Sequence, residues 1–291
     1  MKNSTFSYPP ITKRTVVFYH NDCPDGFAGA WAAWKKMGAK AQYVPLRHQV
    51  PLPRVRGKTL YFIDIAPDEK TAKRLLLARN EVIIIDHHVS REKIARSQPI
   101  HSFSLSNSGA VLAWQFFHAS KTVPQLLRHI EDMDLWALQL PHTKEISLWF
   151  MVHNDFTFRT FTKLVRVIAS SASRREAIAE GKTIRGYEQK LVRLLADKAS
   201  AARFEGKRAA VVNGGALKVL SSAVGNELVS RGFPIAIVWS QEGNEMYVSL
   251  RSARSTGIDV SKLAVRHGGG GHKAAAGFSF PADKPKPWKT L

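Results

Sequence analysis

Three short runs rich in β-branched and aromatic residues constrain this chain more than any other feature: Thr15 to His20 (TVVFYH), Thr59 to Ile65 (TLYFIDI) and Glu81 to Asp86 (EVIIID). Continuous apolar runs of this length fit strands buried on both faces. Between them, Ala28 to Met37 (AGAWAAWKKM) and Glu69 to Ala78 (EKTAKRLLLA) have the composition and length of crossover helices. The order is therefore β-α-β-α-β, and the expected fold class is α/β with a mostly parallel sheet. Ligands of such a sheet bind beyond the carboxyl ends of its strands. Those ends carry the polar chemistry here: Asp22 and Asp25 follow the first run, Asp64 lies near the end of the second, and Asp86, His87 and His88 close the third.

A further helical region runs from about Gly109 to Leu140, is interrupted near Pro124, and brings Asp132 and Asp134 as candidates for the same rim. From Arg159 to Arg203 the pattern is polar and helical without proline, with eleven Lys or Arg against four Asp or Glu. Past Gly206 the texture changes to strands at Arg208 to Asn213, Pro234 to Ser240 and Glu245 to Ser252, alternating with helical stretches at Ser221 to Ser230 and Val260 to Val265. The expected organisation is a catalytic domain over 1–158, a basic helical connector over 159–206 and a smaller α/β domain over 207–291. The closing DKPKPWKT stretch reads as an exposed tail.

Composition narrows the function classes. No apolar run approaches the ~18 residues of a spanning helix, and the first fifteen residues lack the apolar core of a secretory signal, so a cytoplasmic protein without membrane association is expected. With Cys23 as the single cysteine, an internal disulfide is excluded. Forty-three Lys plus Arg against 23 Asp plus Glu give a net charge of +20, a field that attracts polyanions such as nucleic acid, although a basic surface can also serve solubility alone.

His20-Asn21-Asp22-Cys23-Pro24-Asp25-Gly26 places one imidazole and two carboxylates immediately after a strand, which suits a hard divalent cation. One of the carboxylates could instead cap the helix that follows. In the Asp86-His87-His88 triplet, successive side chains of an extended segment face opposite ways, so one histidine can ligate metal while the other addresses substrate. Oxygen-rich ligation with some imidazole suits Mn²⁺, Mg²⁺ or Co²⁺, and there are carboxylates enough for two ions. Two such ions about 3.5–4 Å apart would hold a phosphate and activate water for in-line attack, so phosphoester hydrolysis is the expected reaction. Gly268 to Gly271 before His272 reads either as a flexible linker or as a backbone cradle for phosphate near a helix N-terminus. Arg251 lies on a strand face opposite Met246, Val248 and Leu250 and can point toward a ligand. Phe27, Trp31 and Trp34 recur at helical spacing and read as a core stripe.

Together these residues carry a resemblance. His20-x-Asp22-x-x-Asp25-Gly26, then Asp64, then Asp86-His87-His88, then Asp132 or Asp134, resemble the successive motifs of the DHH phosphoesterase superfamily. Ser249-Leu250-Arg251-Ser252 followed by Gly268-Gly269-Gly270-Gly271-His272-Lys273-Ala274-Ala275-Ala276-Gly277-Phe278 is similar to the glycine-rich signature of the DHH-associated C-terminal domain, with the nano-RNase and RecJ-like group the most similar. The resemblance spans nearly the whole chain. It implies a manganese-dependent hydrolase that binds two ions and holds a short single-stranded nucleic acid or nucleotide between two domains. By it the metal ligands are His20, Asp22, Asp25, Asp64, Asp86, His87, and one of Asp132 and Asp134, with Asp132 favoured by the place of Trp136. His88 would act catalytically on the scissile phosphate, and Arg251, Gly269, Gly270, Gly271 and His272 would grip substrate. In this chain two residues, Cys23 and Pro24, separate the first two carboxylates, where the family usually has one. A polyphosphate or pyrophosphate hydrolase is the alternative within the same chemistry, and a nucleic-acid-binding protein without catalysis the alternative outside it.

Overall fold

The computed structural model describes residues 8–21, 23–46 and 51–291. The chain divides into two compact units, Met1–Ile184 and Arg185–Leu291.

In the first unit, β1 (Thr15–His20), β2 (Ala41–Leu46), β3 (Thr59–Ile63), β4 (Glu81–Asp86) and β5 (Ile100–Phe103) form an all-parallel sheet in the order β2-β1-β3-β4-β5. Both faces are buried, which is why the inner strands read as unbroken apolar runs. Val17, Ile63, Ile83 and Ile85 pack toward α1 (Pro24–Met37) and α4 (Gly109–Phe117), while Val16, Phe18, Leu60, Phe62 and Ile84 pack on the other face toward α2 (Glu69–Leu77) and α3 (Glu92–Arg96). Phe27 and Trp31 of α1 are buried core residues, as a crossover helix requires, and Trp31 stacks on Trp114 at 5.6 Å. Two strands escaped the sequence pattern. The β2 sequence AQYVPL carries Pro45, tolerable because β2 lies at the sheet edge, and β5 is only four residues long.

The expected helical region after Gly109 is α4 and then α5 (Gln125–Asp134), parted before Pro124. It is followed by α6 (Thr143–His153), α7 (Phe158–Ala169) and α8 (Ser171–Ala196). Phe161, Leu164 and Ile168 of α7 and Ala177 of α8 belong to the core of the first unit, whereas Val192 and Ala196 pack with the second. The helical region expected to Arg203 ends earlier: Ser200–Phe204 is strand β6, entered by a turn that no proline or glycine announces.

The second unit is a seven-stranded sheet in the order β10-β11-β9-β8-β7-β6-β12. Besides β6 it comprises β7 (Lys207–Asn213), β8 (Ile235–Glu242), β9 (Glu245–Ser252), β10 (Gly270–His272), β11 (Ala275–Pro281) and β12 (Trp288–Thr290). The parallel pair is β7 with β8, joined through α9 (Ser221–Ser230); the remaining pairs are antiparallel. Helix α9 covers one face through Val224 and Leu228, and α10 (Val260–Arg266) the other through Val260 and Leu263. The expected exposed tail is corrected here. Trp288 is buried in this core and leads β12 along β6, because the indole outweighs the prolines and lysines around it.

Candidate metal centre

Because β1, β3 and β4 run parallel, their carboxyl ends lie on one edge of the sheet, and each delivers a polar side chain there. His20 is the last residue of β1, Asp64 follows β3, and Asp86 ends β4 with His87 and His88 next in the chain. Asp64 has φ +57°, and its N–H donates to the Ile85 carbonyl at 3.0 Å. This left-handed turn stops the strand two residues before the expected Ile65 and keeps the Asp64 carboxylate at the sheet edge.

Asp64, only 2% exposed, is the hub. Its Oδ1 lies 3.2 Å from His87 Nε2 and 3.7 Å from His88 Nδ1, and its Oδ2 lies 3.3 Å from His20 Nδ1. The same His87 nitrogen is 3.5 Å from Asp134 Oδ2, at the end of α5, and 3.9 Å from Asp25 Oδ2, in the first turn of α1. One imidazole nitrogen therefore faces three carboxylates. Asp25 also caps α4 from outside that helix: its Oδ2 accepts from the Gly109 N–H at 2.7 Å and its Oδ1 from the Ala110 N–H at 3.0 Å. A Cβ on Gly109 would stand 2.7 Å from Asp64 Cβ and 2.9 Å from Asp25 Oδ2, so glycine is what lets α4 approach the two carboxylates. The sequence reading missed Gly109. Its signal was the Ser108-Gly109-Ala110 start of a helix, with Ser108 as N-cap.

Asp86 Oδ1 accepts from the His87 N–H (2.7 Å) and the His88 N–H (3.1 Å), and His88 Nδ1 lies 2.7 Å from it. These bonds tie both histidines back to the Asp86 carboxylate at the end of β4. The two histidine rings then lie 4.4 Å apart, rather than on opposite faces as the strand pattern suggested. Asp86 Oδ2 is buried with no hydrogen-bond partner among the described residues.

Asp132 is corrected as the favoured fourth-motif acid. Its Oδ1 accepts from the Gln139 N–H (2.8 Å), and its Oδ2 from the Leu140 N–H (3.1 Å) and the Thr143 hydroxyl (2.6 Å), so it ties the loop after α5. Asp134, on a different face of the same helix, is the acid that reaches His87. Asp22 lies outside the described residues. Cys23, to which sequence patterning assigns no role, falls with His20 and Asp64 in a group whose donor atoms all lie within 4.8 Å of one another, and burial pushes its thiol up.

The charges explain what such a cluster lacks. Burial and then the charges of Asp64 and Asp134 push the Asp25 carboxyl well above the carboxylate range; enclosure and Asp64 push Asp134 up to about 6. Burial would raise Asp64 too, but hydrogen bonds with His20 and His87 hold it well below that range. Burial disfavours the His87 imidazolium, yet Asp64, Asp25 and Asp134 push it up to about 9. Carboxylates that can stay ionised together only by protonating a histidine form a site deficient in positive charge. Asp64, Asp86, His87 and His88 form one group of ligand-sized spacing and Asp25, His87 and Asp134 another. Oxygen and imidazole donors without an unhindered thiolate fit a hard divalent cation.

Comparison with known proteins agrees with this architecture. A protein of Acanthamoeba polyphaga mimivirus described as uncharacterized protein R106 is 28% identical over 310 residues, covering 97% of this chain and 70% of the viral protein. A solved structure described as the DHH domain of a member of a family of ribosomal proteins superposes with a TM-score of 0.61 at 12% identity, over 91% of this chain and 82% of that one. The exonuclease RecJ bound to manganese gives 0.50 at 16% identity, over 92% and 86%. Residues 207–286 match the DHHA1 domain family. The chain shares the fold of these two solved structures, and its residues 207–286 are similar to the DHHA1 domain.

Within the segment similar to the DHHA1 domain, Arg251 on β9 points away from the buried Met246, Val248 and Leu250. Its Nη2 donates to Ser222 Oγ at 2.5 Å, and its Nη1 to Ser249 Oγ (3.2 Å) and the Leu250 carbonyl (2.8 Å). No carboxylate pairs with it among the described residues. The glycine run does not lie at a helix N-terminus. It follows the C-terminus of α10 and enters the hairpin of β10 and β11. A Cβ on Gly269 would stand 2.0 Å from the Gly277 carbonyl, and one on Gly271 2.6 Å from that of Ala275, so close approach of β11 explains both glycines. A Cβ on Gly270 would meet nothing within 4 Å, and His272 is exposed.

Proposed function

We propose that this protein is a divalent-metal-dependent phosphoester hydrolase acting in the cytosol on short single-stranded oligonucleotides or nucleotides. The observation that carries the reading is His87 Nε2 set among the Asp64, Asp25 and Asp134 carboxylates at the carboxyl edge of a parallel sheet. In this reading the cluster would hold manganese, which when bound would supply Lewis acidity toward a phosphate. His20, Asp64, His87, Asp25 and Asp134 would hold it, and Asp86 ties back both histidines. Since Asp86 Oδ1 takes His88 Nδ1 at 2.7 Å and favours the imidazolium, the remaining His88 nitrogen serves as the donor to the phosphate or its leaving oxygen. Arg251 and the unobstructed backbone at Gly270 bind a further substrate phosphate through the DHHA1 domain.

A panel assay tests this: the purified protein with Mn²⁺, offered short RNA and DNA oligomers, adenosine bisphosphate, dinucleotides and polyphosphate. Hydrolysis of an oligonucleotide or nucleotide that chelator abolishes and Mn²⁺ restores is expected. Turnover of polyphosphate alone would replace the substrate assignment, and full activity in excess chelator would overturn the metal mechanism.

A further inference from the structure

Away from the carboxylate cluster, the first unit holds a cavity of about 250 Å³ between α5, the turn into α6, and the start of α8. Arg128, His129, His142 and Arg174 line it together with Gln125 and apolar residues, and no carboxylate does. Neither guanidinium makes an ion pair among the described residues. Surface arginines usually sit near an acid or in open water; two unpaired ones converging on a concavity leave an electrostatic vacancy for an anion.

The lining is also held in place. Arg174 Nη1 donates to Gln125 Oε1 and to the Ile168 carbonyl (3.0 Å), leaving Nε and Nη2 as its remaining donors. His129 is buried, and its Nδ1 lies 2.9 Å from Thr143 Oγ1. The Thr143 hydroxyl gives its own proton to Asp132 Oδ2 at 2.6 Å, so Oγ1 must accept from His129 Nδ1–H, and Nε2 is the polar atom the ring has left. His142 Nδ1 lies 3.9 Å from Glu145 Oε2, and Glu145 does not line the cavity.

We propose that this cavity is a second anion site, distinct from the carboxylate cluster, which holds the compact phosphate group of inorganic phosphate or a phosphomonoester between the Arg128 and Arg174 forks. A concave pocket with planar donors matches a group presenting several oxygens at once. The inference does not depend on the hydrolase reading, and its test involves no turnover.

The full-length protein, kept in chelator so that the carboxylate cluster repels anions, is titrated calorimetrically with inorganic phosphate, AMP and adenosine. Phosphate or AMP is expected to bind and adenosine not to. AMP alone would assign an ester-borne group, and binding of both a free one. Arg128→Gln and Arg174→Lys should each weaken binding about tenfold, whereas Lys70→Gln, which removes an exposed cation of α2, should leave it unchanged. The His129 ring resonances of the wild type should shift on saturation, a readout that does not rely on any variant folding. Absence of binding, equal binding of adenosine, undiminished binding in both Arg128→Gln and Arg174→Lys, or unmoved His129 resonances at saturation would each overturn the assignment.

Discussion

Asp132 and Asp134 stand one residue apart on α5, yet rotation by about 200° along a helix sends them to different tasks. Asp132 stitches three donors of the following loop, while Asp134 stands 3.5 Å from His87. The pair therefore divides between anchoring the loop and joining the carboxylate cluster. Asp132→Ala strands the buried Thr143 hydroxyl and two part-buried amides and should lower unfolding free energy by about 1–3 kcal/mol in chelator, measured by denaturant titration. Asp134→Asn should leave that value near wild type and weaken Mn²⁺ binding at least tenfold in calorimetry. The reverse pattern would exchange the two roles. Sequence named both acids and favoured Asp132 from the place of Trp136, because the Gln139 and Leu140 amides that engage Asp132 belong to an irregular loop without pattern. The Asp86 triplet was legible because adjacent acid and imidazoles at a strand end have few other uses. The clustering of its rings was not, since it follows from hydrogen bonds of the Asp86 carboxylate to its own chain. His88→Ala should keep Mn²⁺ affinity and lose turnover on whichever substrate the panel identifies; lost affinity would make His88 a ligand.

The inner strands of the first sheet were legible because burial on both faces demands apolar residues at every position. The short outer strands β2 and β5 were not, because an edge asks less of its residues. In the second unit, alternation along β9 already singled out Arg251 in the sequence, but the mates of β10 and β11 depended on a hairpin whose glycines also suit a linker. One inter-element contact there makes a pH prediction. Glu205, after β6, accepts from Arg266 Nη1 of α10 at 2.9 Å and lies 3.0 Å from His267 Nε2, and these partners hold its carboxyl below the usual glutamate range. A carboxyl depressed in the folded state adds stability that is complete above its unfolded pKa and is lost as pH falls through the folded one. Unfolding midpoints of the wild type should therefore decline from about pH 5 downward. Glu205→Gln should lower the midpoint at pH 7 and show a shallower decline, and parallel curves for the two proteins would show that the contact contributes nothing.

At the scale of the molecule, the net charge of +20 was plain from composition, and so was the presence of two α/β units. Which helices belong to which unit was not, because α7 and α8 share one basic, polar texture while their few apolar residues join different cores. If the charge recruits polyanions, the second-order rate on oligonucleotides should fall with rising salt, and more steeply for longer substrates than for a dinucleotide. A slope independent of length would confine recognition to the reacting phosphate. Salt has another effect on so basic a chain, since it also screens the mutual repulsion that keeps copies apart. Here the three-residue length of β10 and β12 matters. They are the two outer strands of the seven-stranded sheet, so its margins offer little unpaired backbone to a neighbouring molecule. Resistance to intermolecular strand addition is thus built into the sheet margins and should persist at ionic strengths where charge no longer protects against aggregation.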